Sequence, residues 1–380
     1  MRQPTWAFAL LALAGLCLPA PVRACNVPVF RYALERWPPD PYAFTVFYHE
    51  KIPEDVRAMI AALEKSSAKD GRANIVVHWV DVAQDGHSPA HQWWREQKDV
   101  RIPCLVVHSP PRSGVATMVW SGVPTTATIQ KLVDSPARRE LSRRLLSGES
   151  AVWLLLESGN KVEDDAAFQL LTEQLARLEK QIELPKGETE PHTGLLVPPG
   201  PDQGAELLSK IPLKIDFSVL RVSRQDPAER FFVRMLLAVN PKLEQATAPI
   251  VYPVFGQGRA LHAFQGNELT PPGIEEAARF LCGACSCSVK ASHPGFDLLL
   301  RADWTAVVGG KIQPAQANEL RIGEKVALPN RAENRRQPSV PPRNESARHE
   351  VSPTLLVAIS VVGVYAALAG VVIARRRHWF

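Results

Sequence analysis

The sequence of 380 residues predicts an α/β fold built from two similar halves, followed by a Pro-rich segment and an apolar tail. In each half, short runs rich in β-branched and aromatic residues alternate with amphipathic helical segments, the pattern of a sheet covered by helices. Each half also has a proline that opens a strand and a glycine at a similar distance after it, Pro103 with Gly122 and Pro249 with Gly266. Element order and these two residue pairs together indicate an internal repeat.

The first half has the order strand, helix, strand, helix, strand, strand, helix. Its first helix is predicted from Val56, Ile60 and Leu63, which fall on one face at helical spacing. Pro103 opens the third strand, and Gly122 ends the fourth. The predicted elements are Tyr42–Tyr48, Pro53–Ser66, Asn74–Asp81, His91–Lys98, Ile102–Val107, Val115–Trp120 and Thr126–Val133.

The second half repeats this order of elements, although the two halves share little sequence identity. Its long first helix is predicted from the aligned residues Phe168, Leu171, Leu175 and Leu178. The segment Gly256–Gly258 precedes a strand rather than a helix, so it predicts a turn and not a phosphate-binding loop. The predicted elements are Ala151–Glu157, Glu163–Gln181, Ile215–Val222, Pro227–Val239, Ile250–Phe255, Ala260–Phe264 and Pro272–Leu281.

The order of elements resembles the thioredoxin-like fold. Members of that family typically have an Ile-Pro dipeptide, with the proline in the cis form, at the entry to the third strand, followed by a hairpin, a glycine and a helix. The matching positions are Ile102, Pro103, Gly122 and Ile129, within residues 40–135. The predicted fold class is therefore α/β, with two tandem thioredoxin-like units, each a three-layer α/β/α arrangement.

The two ends of the chain predict secretion and a membrane anchor. Leu355–Ala374 is a run of 20 uncharged residues, long enough to cross a bilayer as a helix, and Arg375–Arg377 follow on what we expect to be the cytoplasmic side. The apolar run Trp6–Leu18 has signal-peptide length, and cleavage after Ala24 would leave Cys25 first, with lipidation an open alternative. We expect a single-pass protein of a bacterial inner membrane, with its bulk extracytoplasmic and its C-terminus cytoplasmic.

These features divide the chain into six segments. A stalk is predicted because its polar, Pro-rich composition cannot bury enough apolar surface to order itself. The segments are 1–24, the signal peptide; 25–148, the first unit; 149–327, the second unit with a Cys-rich extension; 328–353, the stalk; 354–374, the transmembrane helix; and 375–380, the cytoplasmic tail.

The overall charge does not indicate a nucleic-acid partner. The formal net charge is only +5, and no basic stripe with interleaved aromatic residues occurs. The paired arginines Arg138–Arg139 and Arg143–Arg144 are predicted to form a solvated helix face. His87 and His91 are predicted to be surface residues, because Pro89 lies between them and would interrupt a shared helix.

Neither half has a cysteine where the resemblance implies a reactive one, at the end of the first strand where a helix begins. The first half has His49–Pro53 at that position, and the second has Ser158–Lys161. The resemblance places Pro103, Cys104 and Pro249 near the binding groove of each unit. A small apolar cysteine such as Cys104 is otherwise a common core residue.

Three cysteines lie close together near the end of the last predicted helix: Cys282, Cys285 and Cys287. Three interpretations are open. The cysteines form an exchangeable or structural C-x-x-C disulfide; they bind zinc or copper together with His293; or one structural bridge leaves a spare thiol that pairs with Cys25 or Cys104. No other cofactor is expected.

The sequence therefore predicts a membrane-anchored extracytoplasmic protein that binds or scaffolds a protein partner at the membrane through thioredoxin-like units without the usual dithiol. A binding role is favoured over an enzymatic one. The alternative is a thiol–disulfide or metal-handling protein that uses Cys282, Cys285 and Cys287.

Overall fold

The structure is a computed structural model that describes residues 27–70, 72–84, 86–97, 100–111, 116–185, 207–284 and 295–308. All of these belong to one compact unit, residues 1–326. Within these ranges, no helix combines the length and apolarity needed to span a bilayer. The signal peptide, the stalk, the transmembrane segment Leu355–Ala374 and the residues Cys25, Cys285, Cys287 and His293 lie outside the described residues.

The first half forms a four-stranded sheet with the order β2-β1-β3-β4. Strand β1 runs parallel to β2 and antiparallel to β3, and β3 is antiparallel to β4. In chain order, the helices and strands before the second sheet are α1 Val29–Arg36, β1 Tyr42–Tyr48, α2 Glu54–Asp70, β2 Ile75–Asp81, α3 Pro89–Glu96, β3 Cys104–His108, β4 Met118–Gly122, α4 Thr126–Val133 and α5 Pro136–Leu146.

The second half forms a sheet with the order β10-β8-β7-β5-β6, in which β9 also pairs with β7. Strand β5 is parallel to β6 and antiparallel to β7. The remaining elements are β5 Ala151–Glu157, α6 Lys161–Gln181, β6 Phe217–Ser223, α7 Arg230–Leu237, α8 Pro241–Glu244, β7 Ile250–Phe255, β8 Arg259–Ala260, β9 Phe264–Gln265, a 3₁₀ turn Gly266–Glu268, α9 Pro271–Cys282, β10 Phe296–Asp297 and α10 Thr305–Val308.

Both sheets share one topology, a mixed α/β arrangement consistent with thioredoxin-like units. In each, the first strand is central, parallel to the second strand and antiparallel to the third. The Ile102–Pro103 peptide bond is cis, as the resemblance to the thioredoxin-like fold implied. Five predicted elements have the same bounds in the structure: Tyr42–Tyr48, Thr126–Val133, Ala151–Glu157, Ile250–Phe255 and the turn Gly256–Gly258, in which both glycines have positive φ.

Helices cover both faces of each sheet. In the first sheet, α2 and α4 pack on the face of Phe44 and Leu105, while α3 packs on the face of Phe47 and Val106. In the second sheet, α6, α9 and α1 pack on the face that carries Trp153, and α5 and α7 pack on the opposite face. Apolar side chains on both faces of the central strands explain why β1 and β5 read as continuous apolar runs.

Helix α1 was not predicted, and it packs against the second sheet although it precedes the first in the chain. Phe30 and Ala33 are buried in the same cluster as Trp153. The backbone N–H of Val29 donates to the carbonyl oxygen of Gly283 at 3.0 Å, at the end of α9. The start of the described chain is thus held by the second half.

Three predictions were wrong in detail. The strand predicted at Ala260–Phe264 is two short strands, β8 and β9, separated by three residues. Pro89 does not interrupt a helix; it is the first residue of α3, where a missing N–H is tolerated, and the Ser88 side chain accepts a hydrogen bond from the N–H of His91. Arg138, predicted to be solvated, is 1% exposed.

The segment 296–304 links the two sheets. Its strand β10 pairs with β8, while Arg301 forms an isolated bridge with Ala73 beside β2. The side chain of Asn74 donates to the carbonyl oxygen of Leu298 at 3.2 Å, and the N–H of Asp40 donates to the Asp297 carboxylate at 2.9 Å. This extended segment is therefore hydrogen-bonded to both halves.

Candidate functional site

The end of β1 in the first sheet is closed by a tight polar loop. His49, Glu50 and Lys51 are exposed. The N–H of Lys51 donates to the carbonyl oxygen of His49, and Glu50 has φ of 55°, in the left-handed region that most side chains avoid. Helix α2 begins only at Glu54, after Pro53. No thiol is available between this strand and helix.

In the second sheet the equivalent junction is filled by Asp164. This carboxylate is 3% exposed and accepts hydrogen bonds from the N–H of Ser158 at 2.7 Å, the Ser158 hydroxyl at 2.9 Å and the N–H of Gly159 at 3.0 Å. Asn160 caps α6 by accepting from the N–H of Val162 at 3.2 Å. The N–H groups of Ser158, Gly159 and Val162 at this junction therefore already have acceptors within the chain.

Exposed apolar side chains concentrate at the end of each sheet where its first strand, β1 or β5, finishes. Among the described residues, four large apolar side chains are exposed, and three lie here: Ile102 at 38%, Val123 at 46% and Val162 at 79%. Ile102 precedes the cis proline, and Val123 follows β4, whose Gly122 pairs with Leu105 of β3. Ile102 and Val123 thus flank the half-buried Pro103 on the first unit, with the charged loop His49–Lys51 nearby at the end of β1.

The corresponding loop of the second unit is occupied by an arginine. The guanidinium of Arg224 donates to the carbonyl oxygens of Ala246 at 2.6 Å and Ala248 at 3.0 Å, directly before Pro249. Burial lowers the pKa of Arg224 from its ordinary value. Pro249 is buried. The backbone acceptors of this loop are therefore engaged, and Pro249 does not offer an open groove.

Cys104 is placed as a core residue rather than a reactive one. Its side chain is 2% exposed and packs with Phe47, Val80 and Trp93. Burial raises the pKa of the Cys104 thiol above its ordinary value, which disfavours the nucleophilic thiolate. Cys104 is a free thiol in the structure.

Cys282 is also a free buried thiol, at the last turn of α9. It is 1% exposed and belongs to the core beneath the second sheet, and burial raises its pKa to about 12. Its predicted partners Cys285, Cys287 and His293 lie outside the described residues. Among the residues that the structure does describe, no cluster of three or more His, Cys, Asp or Glu side chains could hold a metal ion.

A pocket of about 350 Å³ lies beside α9 in the second unit. Phe264 and Phe280 contribute apolar surface, and Glu276 contributes a carboxylate. The ring centroids of His262 and Phe264 lie 4.2 Å apart with the ring planes tilted by 41°, and burial lowers the pKa of His262. The volume of this pocket is at the lower end of the range for small-molecule binding pockets.

Sequence reasoning missed Asp164 and Arg224. A signal for the first existed, because Asn160 with Glu163 three residues later is a helix N-terminal pattern, and the Asn160 side chain donates to Glu163 at 3.0 Å. That pattern makes Asn160 the N-cap, starts the helix at Lys161, two residues before the predicted start Glu163, and places Asp164 in its first turn. Arg224 carries no comparable local signal, since its partners lie more than 20 residues away.

Comparisons with known proteins do not identify a family for this chain. No protein-family model and no curated protein matches the chain. A solved structure of the first two thioredoxin domains of Saccharomyces cerevisiae Eps1p is similar at 12% sequence identity and a TM-score of 0.20, covering 69% of this chain and 99% of that one. The fold assignment therefore rests on the strand order of the two sheets.

Proposed function

We propose that this chain is a membrane-anchored extracytoplasmic binding or scaffolding protein that holds a protein partner through redox-inactive thioredoxin-like units. The observation that carries the proposal is the chemistry at the end of the first strand of each unit. His49–Pro53 and Ser158–Lys161 hold no thiol, and Asp164 accepts hydrogen bonds from the N–H groups of Ser158 and Gly159 at the second junction. Disulfide exchange at these two positions has no nucleophile.

The partner-binding surface that we propose is the end of the first sheet, around Ile102, Pro103 and Val123. Ile102 and Val123 offer exposed apolar surface, and His49–Lys51 supply a polar rim, the composition of a small interaction patch. The second unit is less suited to this role, because Arg224 already occupies the carbonyl oxygens before Pro249. In this proposal the second unit supports the first.

The anchoring part of the proposal rests on Leu355–Ala374 and the arginines that follow. A 20-residue apolar run with flanking arginines favours one span with the C-terminus in the cytoplasm. In this proposal residues 25–148 and 149–327 form the extracytoplasmic bulk on the stalk 328–353. Protease added to spheroplasts should digest that bulk, and protection of it would refute the topology.

Site-specific photo-crosslinking tests the binding surface in the full chain within its native membrane. A photo-reactive side chain at Val123 should capture a partner protein, and one at the exposed Thr172 of α6 should not. Ile102→Asp should reduce capture at Val123, because it places a charge in the apolar contact. The matched control Val162→Asp changes an exposed valine of the second unit and should leave capture intact.

The binding-surface proposal fails if Val123 and Thr172 crosslink alike, or if Ile102→Asp leaves capture unchanged. The alternative thiol or metal role is tested separately. Cys285→Ser should leave partner capture intact, and protein purified without chelator should contain no zinc or copper. A dithiol-exchange activity lost in Cys285→Ser would instead favour the thiol role of Cys282, Cys285 and Cys287.

A further inference from the structure

A second cavity lies on the first unit, between helices α2 and α4, away from the proposed partner-binding surface. Its volume is about 210 Å³. Helices and the linking segment 296–304 all contribute to its walls. The lining residues are Met59, Ala62, Leu63, Ser66, Ile129, Gln130, Val133 and Arg301.

The floor of this cavity is apolar and fixed. Leu63 is 7% exposed, Ile129 0% and Val133 2%, and all three belong to the core cluster of the first sheet. These side chains are held by packing against the strands beneath them, so the floor does not collapse into the space above it. An aliphatic group placed on it would be removed from water on one side.

Arg301 gives the cavity a positive edge. Its backbone is held from both sides, by the bridge to Ala73 and by the hydrogen bond from the N–H of Ala302 to the carbonyl oxygen of Arg72 at 2.9 Å. The nearby Asp303 carboxylate is engaged by Arg72 at 3.3 Å. Within the described parts of the chain, the Arg301 guanidinium has no ion pair.

The remaining polar groups at the rim are neutral. Ser66 donates its hydroxyl hydrogen to the carbonyl oxygen of Leu63 at 3.0 Å, and Gln130 is exposed. No carboxylate is found among the described lining residues, so the electrostatic character of the cavity is set by Arg301. A guanidinium binds a carboxylate with two parallel hydrogen bonds, a geometry that an ammonium group cannot reproduce.

We propose that this cavity binds a small aliphatic monocarboxylate, with its carboxylate on Arg301 and its chain on Leu63, Ile129 and Val133. The cavity is smaller than the ~300 Å³ at which drug-sized ligand pockets begin, which favours a short chain. The proposal is independent of partner capture at Val123. A ligand held in this way contacts both the first unit and the linking segment, so it stabilises their contact.

Calorimetric titration of the full chain with sodium hexanoate tests this proposal. Hexanoate should bind saturably, and hexylamine, with the same chain and the opposite charge, should not. Across butanoate, pentanoate and hexanoate the affinity should rise about fourfold for each added methylene that is buried. Arg301→Gln should weaken hexanoate binding about tenfold to hundredfold, the range for hydrogen bonds to a charged group.

Two further variants separate recognition from folding. Arg234→Gln removes another exposed arginine, on α7 outside the cavity, and should leave hexanoate binding unchanged. Ala62→Phe, at an exposed position of the rim, should fill the cavity and abolish binding without lowering the melting temperature. Arg301 is also exposed, so Arg301→Gln should remain folded.

The proposal is overturned if hexanoate does not bind, if hexylamine binds as tightly, or if Arg301→Gln and Arg234→Gln bind hexanoate equally. It is also overturned if N-acetylleucine binds more tightly than hexanoate, because that result identifies the C-terminus of a peptide as the occupant. Loss of hexanoate binding in Arg301→Gln with partner capture intact at Val123 would support this site and leave the partner-binding proposal unaffected.

Discussion

His108 on β3 is a buried histidine without a hydrogen-bond partner at its Nε2 atom. Its side chain is 5% exposed, and burial alone lowers its pKa from 6.5 to about 4. The folded protein therefore holds a neutral imidazole where the unfolded chain takes up a proton below pH 6.5. Between about pH 6.5 and pH 4 the unfolded state binds more protons, so stability falls as the pH falls through this window.

We expect His108 to contribute a pH-dependent loss of up to about 3 kcal/mol on acidification from pH 7 to pH 4. Urea unfolding at pH 7, 5 and 4 measures it. His108→Phe cannot take up the proton and should flatten the dependence, leaving the contributions of His78 and His262, whose pKa values burial also lowers. Parallel stability curves for wild type and His108→Phe would contradict this assignment.

Asp164 is predicted to be a structural residue rather than a catalytic one. Asp164→Ala removes a buried carboxylate that accepts hydrogen bonds from the N–H groups of Ser158 and Gly159, and we expect it to lower the free energy of unfolding by about 2–3 kcal/mol. Asp165→Ala is the matched control, because its ion pairs with Lys161 and Arg221 are more exposed and should cost less than about 1 kcal/mol. Equal losses in urea unfolding would refute this role.

At the residue scale, the sequence shows which reactive residues are missing more reliably than it shows the role of each residue that is present. The lack of cysteine at His49–Pro53 and Ser158–Lys161 can be read directly from the sequence, and the cis bond at Pro103, which the resemblance to the thioredoxin-like fold implied, is present. Arg138 could not be assigned in this way. Four arginines lie on α5 with helical spacing, and only the packing of neighbouring elements decides that Arg138 is buried.

At the element scale, Arg138 of helix α5 caps the C-terminus of the preceding helix, α4. From α5, its guanidinium donates to the carbonyl oxygens of Lys131 and Leu132, both at 2.7 Å, in the last turn of α4. These carbonyls have no partner within their own helix, since a helix leaves its last four acceptors free. Burial lowers the pKa of Arg138 to about 10, so it remains charged near neutral pH.

Arg138→Ala should therefore lower the free energy of unfolding by about 2–4 kcal/mol, because it removes donors from two helix-terminal carbonyls and a large buried side chain. The control is Arg139→Ala on the same helix, whose ion pair with Asp134 is exposed and should contribute less than about 1 kcal/mol. Thermal unfolding of the two variants compares them directly. A loss in Arg139→Ala as large as that in Arg138→Ala would exclude the capping role.

Elements whose apolar pattern reflects burial within their own sheet were predicted with the correct bounds. Elements whose formation depends on contacts distant in sequence were not. Strands β1 and β5 are apolar throughout because both faces are covered, and their bounds were read correctly. Helix α1 is only eight residues long, and its order comes from packing on the distant second sheet. Strands β8 and β9, which pair with different parts of β7, were predicted as one strand because the sequence does not show where β7 changes its partner.

At the scale of the whole molecule, the segment 298–300 joins the two cores with three consecutive leucines. Leu298 and Leu300 belong to the core of the second sheet, whereas Leu299 between them belongs to the core of the first. Successive side chains of an extended chain point to opposite sides, so one short stretch can enter both cores. The two halves of the described chain are thereby coupled through the middle of this segment.

Leu299→Ala should weaken the first sheet more than the second. Leu299 is 0% exposed, and truncating a buried leucine costs about 2–5 kcal/mol. Hydrogen exchange followed by mass spectrometry resolves the two halves, and the amides of β1 and β3 should lose more protection than those of β5 and β7. Leu171→Ala, also 0% exposed but in the core of the second sheet, should give the reverse pattern. Equal loss of protection in both sheets for both variants would mean that the two halves open as one cooperative body, and it would contradict the prediction that each leucine mainly stabilises the core to which it belongs.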